Sequence, residues 1–262
     1  MTEPPDIIRL HNPKDGIPIR DWQDWTRPQK AHQWRAGRSA MELARAWFTS
    51  PVPVMPPEMT ALLEGCEATQ GFVAREGWPE LETRLPQRGL GRVHDLLLVG
   101  RTPKRSLVVA VEAKVDETLG PPVGEYWTSS KNGTRPSNAW KRIEILLHAV
   151  FGSGARPDEE PWRSLQYQLL TAVAGSAIET DARGADLGVL VLHHFVTESA
   201  DPAKIREHEV QLRHLHDCLG LGPPQNGRLS SEFTVATTKG AAAIRVGEVS
   251  VVWRRMAVPS PE

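Results

Sequence analysis

Two neighbouring stretches decide how this chain reads: Gly91-Arg-Val-His-Asp-Leu-Leu-Leu-Val-Gly100 and, after a short turn, Leu107-Val-Val-Ala-Val-Glu-Ala-Lys-Val115. Val93 to Val99, bounded by Gly91 and Gly100, has the length and composition of a strand. Leu107 to Val115 is rich in valine and apolar on both faces over its first half, as a central buried strand is. Set into these apolar runs are Asp95, Glu112 and Lys114. A strand repeats every two residues, so Glu112 and Lys114 project to one face and Ala113 to the other. If the strands pair through the turn between Gly100 and Ser106, Asp95 comes close to Glu112. A charge is costly to bury unless something pairs with it, and two carboxylates held together repel. A divalent cation relieves both problems, since magnesium takes one or two protein carboxylates and keeps several waters. Such a cation activates water and steadies charge on a phosphoryl oxygen. The plainer alternative is a strand end whose Lys114 pairs with Glu112 or Asp116 at the surface, with Asp116 and Glu117 solvated.

Upstream, Glu80 to Leu85 alternates like a strand, and three strands joined by short linkers predict an antiparallel meander. Before them, Ser39 to Phe48 predicts a helix with Ser39 as N-cap and Glu42 completing a capping box. A second helix is expected from Glu58 to Glu67. Downstream, a polar segment from Gly120 to Asn138 precedes helices at Trp140–Phe151 and Pro161–Glu179. A strand at Asp186–Leu192, a helix at Ala203–Leu219 and strands at Phe233–Thr237 and Val249–Trp253 complete the chain. Helices on either side of a run of strands predict an α/β fold with a central mixed sheet flanked by helices. Residues 1–37 read as an extended arm. Its three tryptophans, Trp22, Trp25 and Trp34, predict that the arm packs on this protein, on a protein partner or in a homo-oligomer.

The chain has 262 residues and 31 Lys+Arg against 32 Asp+Glu, which excludes a uniformly basic surface but not a local basic cleft. Two cysteines are too few for a disulfide framework and predict reduced thiols in the cytoplasm. Met1 to Asp15 lacks the basic start and apolar run of a signal peptide. No apolar run approaches the ~18 residues of a membrane span, so no membrane association is expected. His193, His194, His208, His214 and His216 are not spaced as a zinc site and read as surface or core-edge residues. No glycine-rich loop of Walker type is present.

Charge is uneven along the chain. Arg84 to Arg105 holds six basic residues and one acid, Asp95. Thr128 to Arg142 holds Lys131, Arg135, Lys141 and Arg142 and no acid. A basic lip around an acidic metal site suits a phosphodiester substrate, and these four residues are the expected nucleic-acid contacts. Trp127 and Trp140 bracket them and are candidates to stack on bases.

Asp95, sixteen intervening residues and then Glu112-Ala113-Lys114 resembles the PD-(D/E)XK nuclease superfamily. The predicted order also fits that superfamily: helix, strand, Asp-bearing strand, strand ending in Glu-X-Lys, then helix and strand. Gly91 through Gln166-Tyr-Gln-Leu-Leu170, with Arg38 to Trp47, looks like an uncharacterised bacterial family with this nuclease-like core. The resemblance covers most of residues 38–197. It leaves the arm and a C-terminal extension from about 198 unexplained. It implies a magnesium- or manganese-dependent endonuclease acting on nucleic acid, with DNA favoured over RNA but neither singled out by the residues, and by association alone a setting in bacterial defence or DNA processing. It implies that Asp95, Glu112 and the main-chain carbonyl of Ala113 hold the metal and that Lys114 is the catalytic lysine. Many members carry a further acid on the preceding helix, and Glu42 is the candidate, with Glu58, Glu64 and Glu67 competing. Some carry a glutamine on the following helix, matched best by Gln168. His94 stands where the superfamily's proline would be. The competing expectation is a catalytically inactive module on the same core that binds nucleic acid or a protein partner.

Overall fold

The computed structural model describes residues 8–134, 137–198 and 200–253. The chain forms an α/β fold around a mixed eight-stranded sheet. The strands are β1 (Arg9–Leu10), β2 (Val73–Thr83), β3 (Arg92–Arg101), β4 (Ser106–Lys114), β5 (Leu187–Val196), β6 (Arg228–Leu229), β7 (Phe233–Ala236) and β8 (Ala241–Val252). The helices are α1 (Ser39–Trp47), α2 (Pro57–Glu64), α3 (Val123–Asn132), α4 (Ala139–Phe151), α5 (Tyr167–Ala182) and α6 (Pro202–Cys218). Along the sheet the order is β1-β2-β3-β4-β5-β8-β6, with β7 also on β8. The β2-β3-β4 meander is antiparallel, and β4, β5 and β8 run parallel to one another. Parallel neighbours need long crossovers, and the helices α3 to α6 supply them.

Alternation along the strands feeds two cores. Val108, Ala110, Leu190 and Leu192 pack against α4 and α5 on one face. Leu107, Val109, Val111 and Ala113 pack against Leu43 and Trp47 of α1 and Met59 and Leu62 of α2 on the other. With both faces covered, the middle strands are apolar throughout, and every residue of β4 after Ser106 is buried.

The N-terminal segment does not stand apart as an arm. Leu10, Ile19 and Trp25 belong to the α1–α2 core, and β1 pairs with β2. Trp22 packs under the Arg45 guanidinium at 5.0 Å. The segment after 198 is equally integral. β8 lies directly beside β5 and buries Ile244, Val246 and Val249.

Several elements differ from the sequence reading, helix α3, strand β2 and helix α1 among them. Helix α3 lies in the segment read as polar and irregular; it buries only Val123, Gly124 and Ser130, so it has no apolar stripe to read. Gly124 lets it dock, since a Cβ there would come within 2.9 Å of the Pro157 carbonyl oxygen. Strand β2 begins at Val73 and runs through Gly77 and Pro79, residues that ordinarily argue against an inner strand. Pro79 is tolerated because β1 covers β2 only at Glu76 and Gly77, and Gly77 makes room for Leu10 of β1, whose Cδ2 a Cβ there would meet at 2.7 Å. Helix α1 lacks the expected cap. Ser39 is its first residue, and the Ser39 amide donates to Glu117 Oε1 at 3.0 Å, a carboxylate from beyond β4.

Candidate functional site

The site is built on a break in strand alternation. Pro79 pairs with Leu96 and Leu81 with His94, which leaves Glu80 opposite Asp95. Glu80 has a φ of 55°, a left-handed conformation unfavourable for a residue with a Cβ. On one side of this pair, Leu96 and Leu98 bury against the α1–α2 face. On the other side, Arg92 and His94 have the same parity yet lie against α5. A Cβ on Gly175 of α5 would come within 3.0 Å of the His94 ring and 3.1 Å of Arg92 Cγ. His94 Nε2 meets Thr83 Oγ1 at 3.0 Å, and that hydroxyl donates to Glu179 of α5. The break thus turns Arg92 toward α5, the side on which Glu112 lies.

Glu112 is 1% exposed, and both its oxygens are engaged. Oε1 receives Lys114 Nζ at 2.6 Å and Gln168 Nε2 at 2.6 Å. Oε2 is ion-paired with Arg92. The β3–β4 register runs down to Leu96–Val111 and, continued, sets Asp95 opposite Glu112. There the Ala113 amide donates to Asp95 Oδ2 at 2.7 Å. In an extended strand the amide and carbonyl of one residue point the same way, so the Ala113 carbonyl also faces β3.

Burial strains every charge in this group. It pushes the Asp95 carboxyl above its ordinary range, against the pull of Lys114 and Arg92. It pulls the Lys114 ammonium down, while Asp95 holds it up. Burial likewise lowers Arg92, with Asp95 and Glu80 opposing. Glu80 is pushed up to about 8 by burial and by Asp95 beside it. Burial also pushes the Glu117 carboxyl up, but the amides of Ser39 and Val115 outweigh it and hold Glu117 below its ordinary value. Glu117 is therefore a half-buried cap for α1, not the solvated residue expected, and Asp116 pairs with Arg38 at 2.8 Å.

Glu80, Arg92, Asp95, Glu117, Tyr167 and Gln168 line a cavity of about 420 Å³. Gln168 is set by the first turn of α5, where its amide donates to the Leu119 carbonyl at 3.3 Å and Tyr167 donates to Pro121 at 3.0 Å. The loop 84–91 forms one rim. Arg142 holds that loop by donating to the carbonyls of Pro86, Arg88 and Leu90 at 3.1, 3.1 and 2.8 Å.

The family described as a domain of unknown function, DUF6946, matches residues 18–249. The chain belongs to this family. The matched span takes in most of the N-terminal segment and nearly all of β8, in keeping with the integral packing of both. No curated protein and no solved structure matches the chain.

The residues expected to act together separate into two groups. Asp95, Glu112, Ala113, Lys114 and Gln168 are brought together, with Asp95 and Gln168 lining the cavity and Glu112, Ala113 and Lys114 buried behind them. Glu42 does not line it: Oε1 accepts from the Gly37 amide at 2.6 Å and Oε2 from Trp253 Nε1 at 2.7 Å, beside α1 on the opposite face. Glu58 is bound to His193 at 2.8 Å. Arg142 lies at the cavity, but its guanidinium is occupied with the loop carbonyls and 7% exposed, so it serves as a brace where a phosphate contact was expected. Lys131 lies over Trp127 at 4.4 Å and Trp140 at 5.4 Å, with Lys141 over Trp140 at 5.2 Å. Arg135 lies outside the described residues. Arg101, Lys104 and Arg105 form no part of a lip: they sit at the far end of the β3–β4 ladder, six rungs or ~20 Å from Asp95.

The histidines also differ from expectation. His193, His194, His208 and His216 are all buried, and His208 Nε2 meets the Glu117 carbonyl at 2.7 Å. Among the described residues no three His, Cys, Asp or Glu side chains are grouped as a metal-binding set. A magnesium-type site needs only one or two carboxylates with waters. The all-oxygen donors Asp95, Glu112 and the Ala113 carbonyl fit such an ion in kind. The residues missed by sequence reading are Arg92, Glu80 and Glu117. Strict alternation puts Arg92 on the wrong face, and the break along β3 between His94 and Leu96, opposite the left-handed Glu80, reverses that.

Among the described residues no helix is long and apolar enough to cross a membrane. Cys66 and Cys218 are both free thiols, and burial pushes the Cys218 thiol up to about 11.

Proposed function

We propose that this protein is a metal-dependent nuclease of the PD-(D/E)XK kind, hydrolysing phosphodiester bonds of nucleic acid at the cavity beside Asp95. The observation that carries the reading is the meeting of Lys114, Gln168 and Arg92 on Glu112, one strand from Asp95, at a cavity. The order α1, β2, β3, β4, α5, β5 around these residues supports it. Asp95, Glu112 and the Ala113 carbonyl would hold a magnesium or manganese ion. When bound, that ion supplies a Lewis acid that lowers the pKa of water and neutralises charge on a phosphoryl oxygen.

The chain's own groups do the rest. Lys114 is fixed by Glu112 at 2.6 Å and its ammonium is pulled down by burial, so it can orient the attacking water or meet charge growing on the phosphoryl group. Gln168 fixes the rotamer of Glu112 through a 2.6 Å bond. The cation–π stack of Lys131, Trp127, Lys141 and Trp140 offers both phosphate and base contacts for a strand.

A second reading, a binding module without catalysis, is favoured by one feature. Arg92 already neutralises Glu112, so the buried carboxylate is compensated without a metal. Single-turnover cleavage of DNA and RNA in magnesium and manganese separates the two, run beside binding measured in calcium. The nuclease reading expects Lys114→Ala to lower cleavage by on the order of a hundredfold or more with little change in affinity. Cleavage by Lys114→Ala at the wild-type rate would reject the assignment of Lys114. Equal binding with no cleavage by either protein would establish the module.

A further inference from the structure

The partner of Glu112 Oε2 is an arginine where a metal site would leave an oxygen free. Among the described residues Glu112 Oε2 accepts no hydrogen bond and is only ion-paired with Arg92, while Oε1 holds Lys114 and Gln168. A cation can reach Glu112 only if one of these donors withdraws. Lys114 is 5% exposed, sits among Asp95, Glu117 and Glu112, and is not among the residues that line the cavity. Arg92 differs in that it lines the cavity, so a ligand there can offer it new acceptors. A guanidinium binds phosphate in the same forked geometry as a carboxylate.

We propose that Arg92 is an exchangeable counter-ion: it neutralises Glu112 in the free protein and moves to a substrate phosphate when nucleic acid enters the cavity, releasing Glu112 to the divalent cation. The inference rests on the metal-dependent reading above and deepens it. Its consequence is positive coupling between metal and nucleic acid, which must be reciprocal because both act on one equilibrium. A purely structural Arg92 would affect folding and leave metal affinity unchanged.

The test is calorimetric titration of the full chain with manganese, alone and with phosphorothioate DNA or RNA, as single strands and duplexes. Wild type, Arg92→Gln and Asp95→Ala are compared. Arg92→Met serves as a second neutral variant, and thermal melts establish which variants fold. Wild type should bind manganese weakly and tighten by about tenfold or more with nucleic acid, within the range of typical coupling. Arg92→Gln should bind manganese about tenfold more tightly without nucleic acid and gain little when it is added. Unchanged or weaker manganese binding by the folded Arg92 variant, with Asp95→Ala abolishing it, would overturn the counter-ion role and leave the metal site standing. Equal tightening by nucleic acid in wild type and variant, or none in wild type, would overturn the exchange. No manganese binding by any protein would remove the metal-dependent reading and this inference together.

Discussion

The two ends of the β3–β4 hairpin are built from opposite materials. Toward the turn, Leu96, Leu97 and Leu98 face Val111, Ala110 and Val109, all fully buried. One rung further from the turn, Asp95 faces Glu112, and Arg92 and Lys114 close around them. The first end gains stability from removing apolar surface from water. The second accepts desolvated charges that pull against their surroundings, with Asp95 pushed up and Lys114 and Arg92 pushed down. The same pair of strands serves both, because the apolar end holds the register rigidly enough to impose positions on the charged end. Perturbed groups set at a cavity by a rigid scaffold mark the place at which the proposed chemistry is to be tested.

This contrast can be tested from both ends. The largest loss of stability is expected at the apolar end, where Leu97→Ala should cost about 2–5 kcal/mol in urea unfolding. A loss under 1 kcal/mol would mean that the core relaxes around the hole. At the charged end, the hundredfold or greater fall in cleavage by Lys114→Ala corresponds to about 3 kcal/mol of transition-state stabilisation. It should come with unchanged binding in calcium.

A smaller effect is expected from pH. The Glu80 carboxyl lies at about 8 in the folded protein against an ordinary 4.5. Its protonated form is favoured by folding, so its stabilising contribution is complete below pH 4.5 and lost as pH rises through about 8. Glu80→Gln should therefore match wild type near pH 4.5 and exceed it at pH 8.5, by on the order of 1–2 kcal/mol after solvent screening. The measurement is the melting temperature of both proteins across that range in chelator. A constant difference would remove the assigned shift. Asp95→Asn should move in the same direction, since burial also raises Asp95.

The smallest change is expected outside the hairpin. Lys131→Ala with Lys141→Ala should weaken nucleic-acid binding a few-fold and reduce its salt slope by about one to two, leaving single-turnover cleavage of bound substrate unaltered. Binding isotherms over a salt series would show it. An unchanged slope would take the Trp127–Trp140 stack out of the interface.

The parts of the fold legible in the sequence are those whose signal is local. The apolar runs of β3, β4 and β5 and the helical spacing of Ile143, Leu146, Leu147 and Val150 each reflect a face buried along its whole length. Helix α3 and the first half of β8 were illegible for the converse reason. Gly124 makes room for a neighbouring segment, and the alanines 241–243 become strand by pairing with β7.

The sequence by itself determined the α/β class, the meander and the placing of Glu112 and Lys114 on one face, because hydrophobic periodicity and strand parity are properties of consecutive residues. Only the tertiary structure decided which groups meet them. Gln168 comes from a helix 56 residues on in the chain and Glu117 turns back to cap α1. Arg92 reaches Glu112 because alternation along β3 breaks opposite the left-handed Glu80. Glu42, which the helix pattern offered as a site acid, is held by Gly37 and Trp253 instead. Contacts between residues distant in sequence depend on how layers pack and where charges find partners, and no local pattern encodes that.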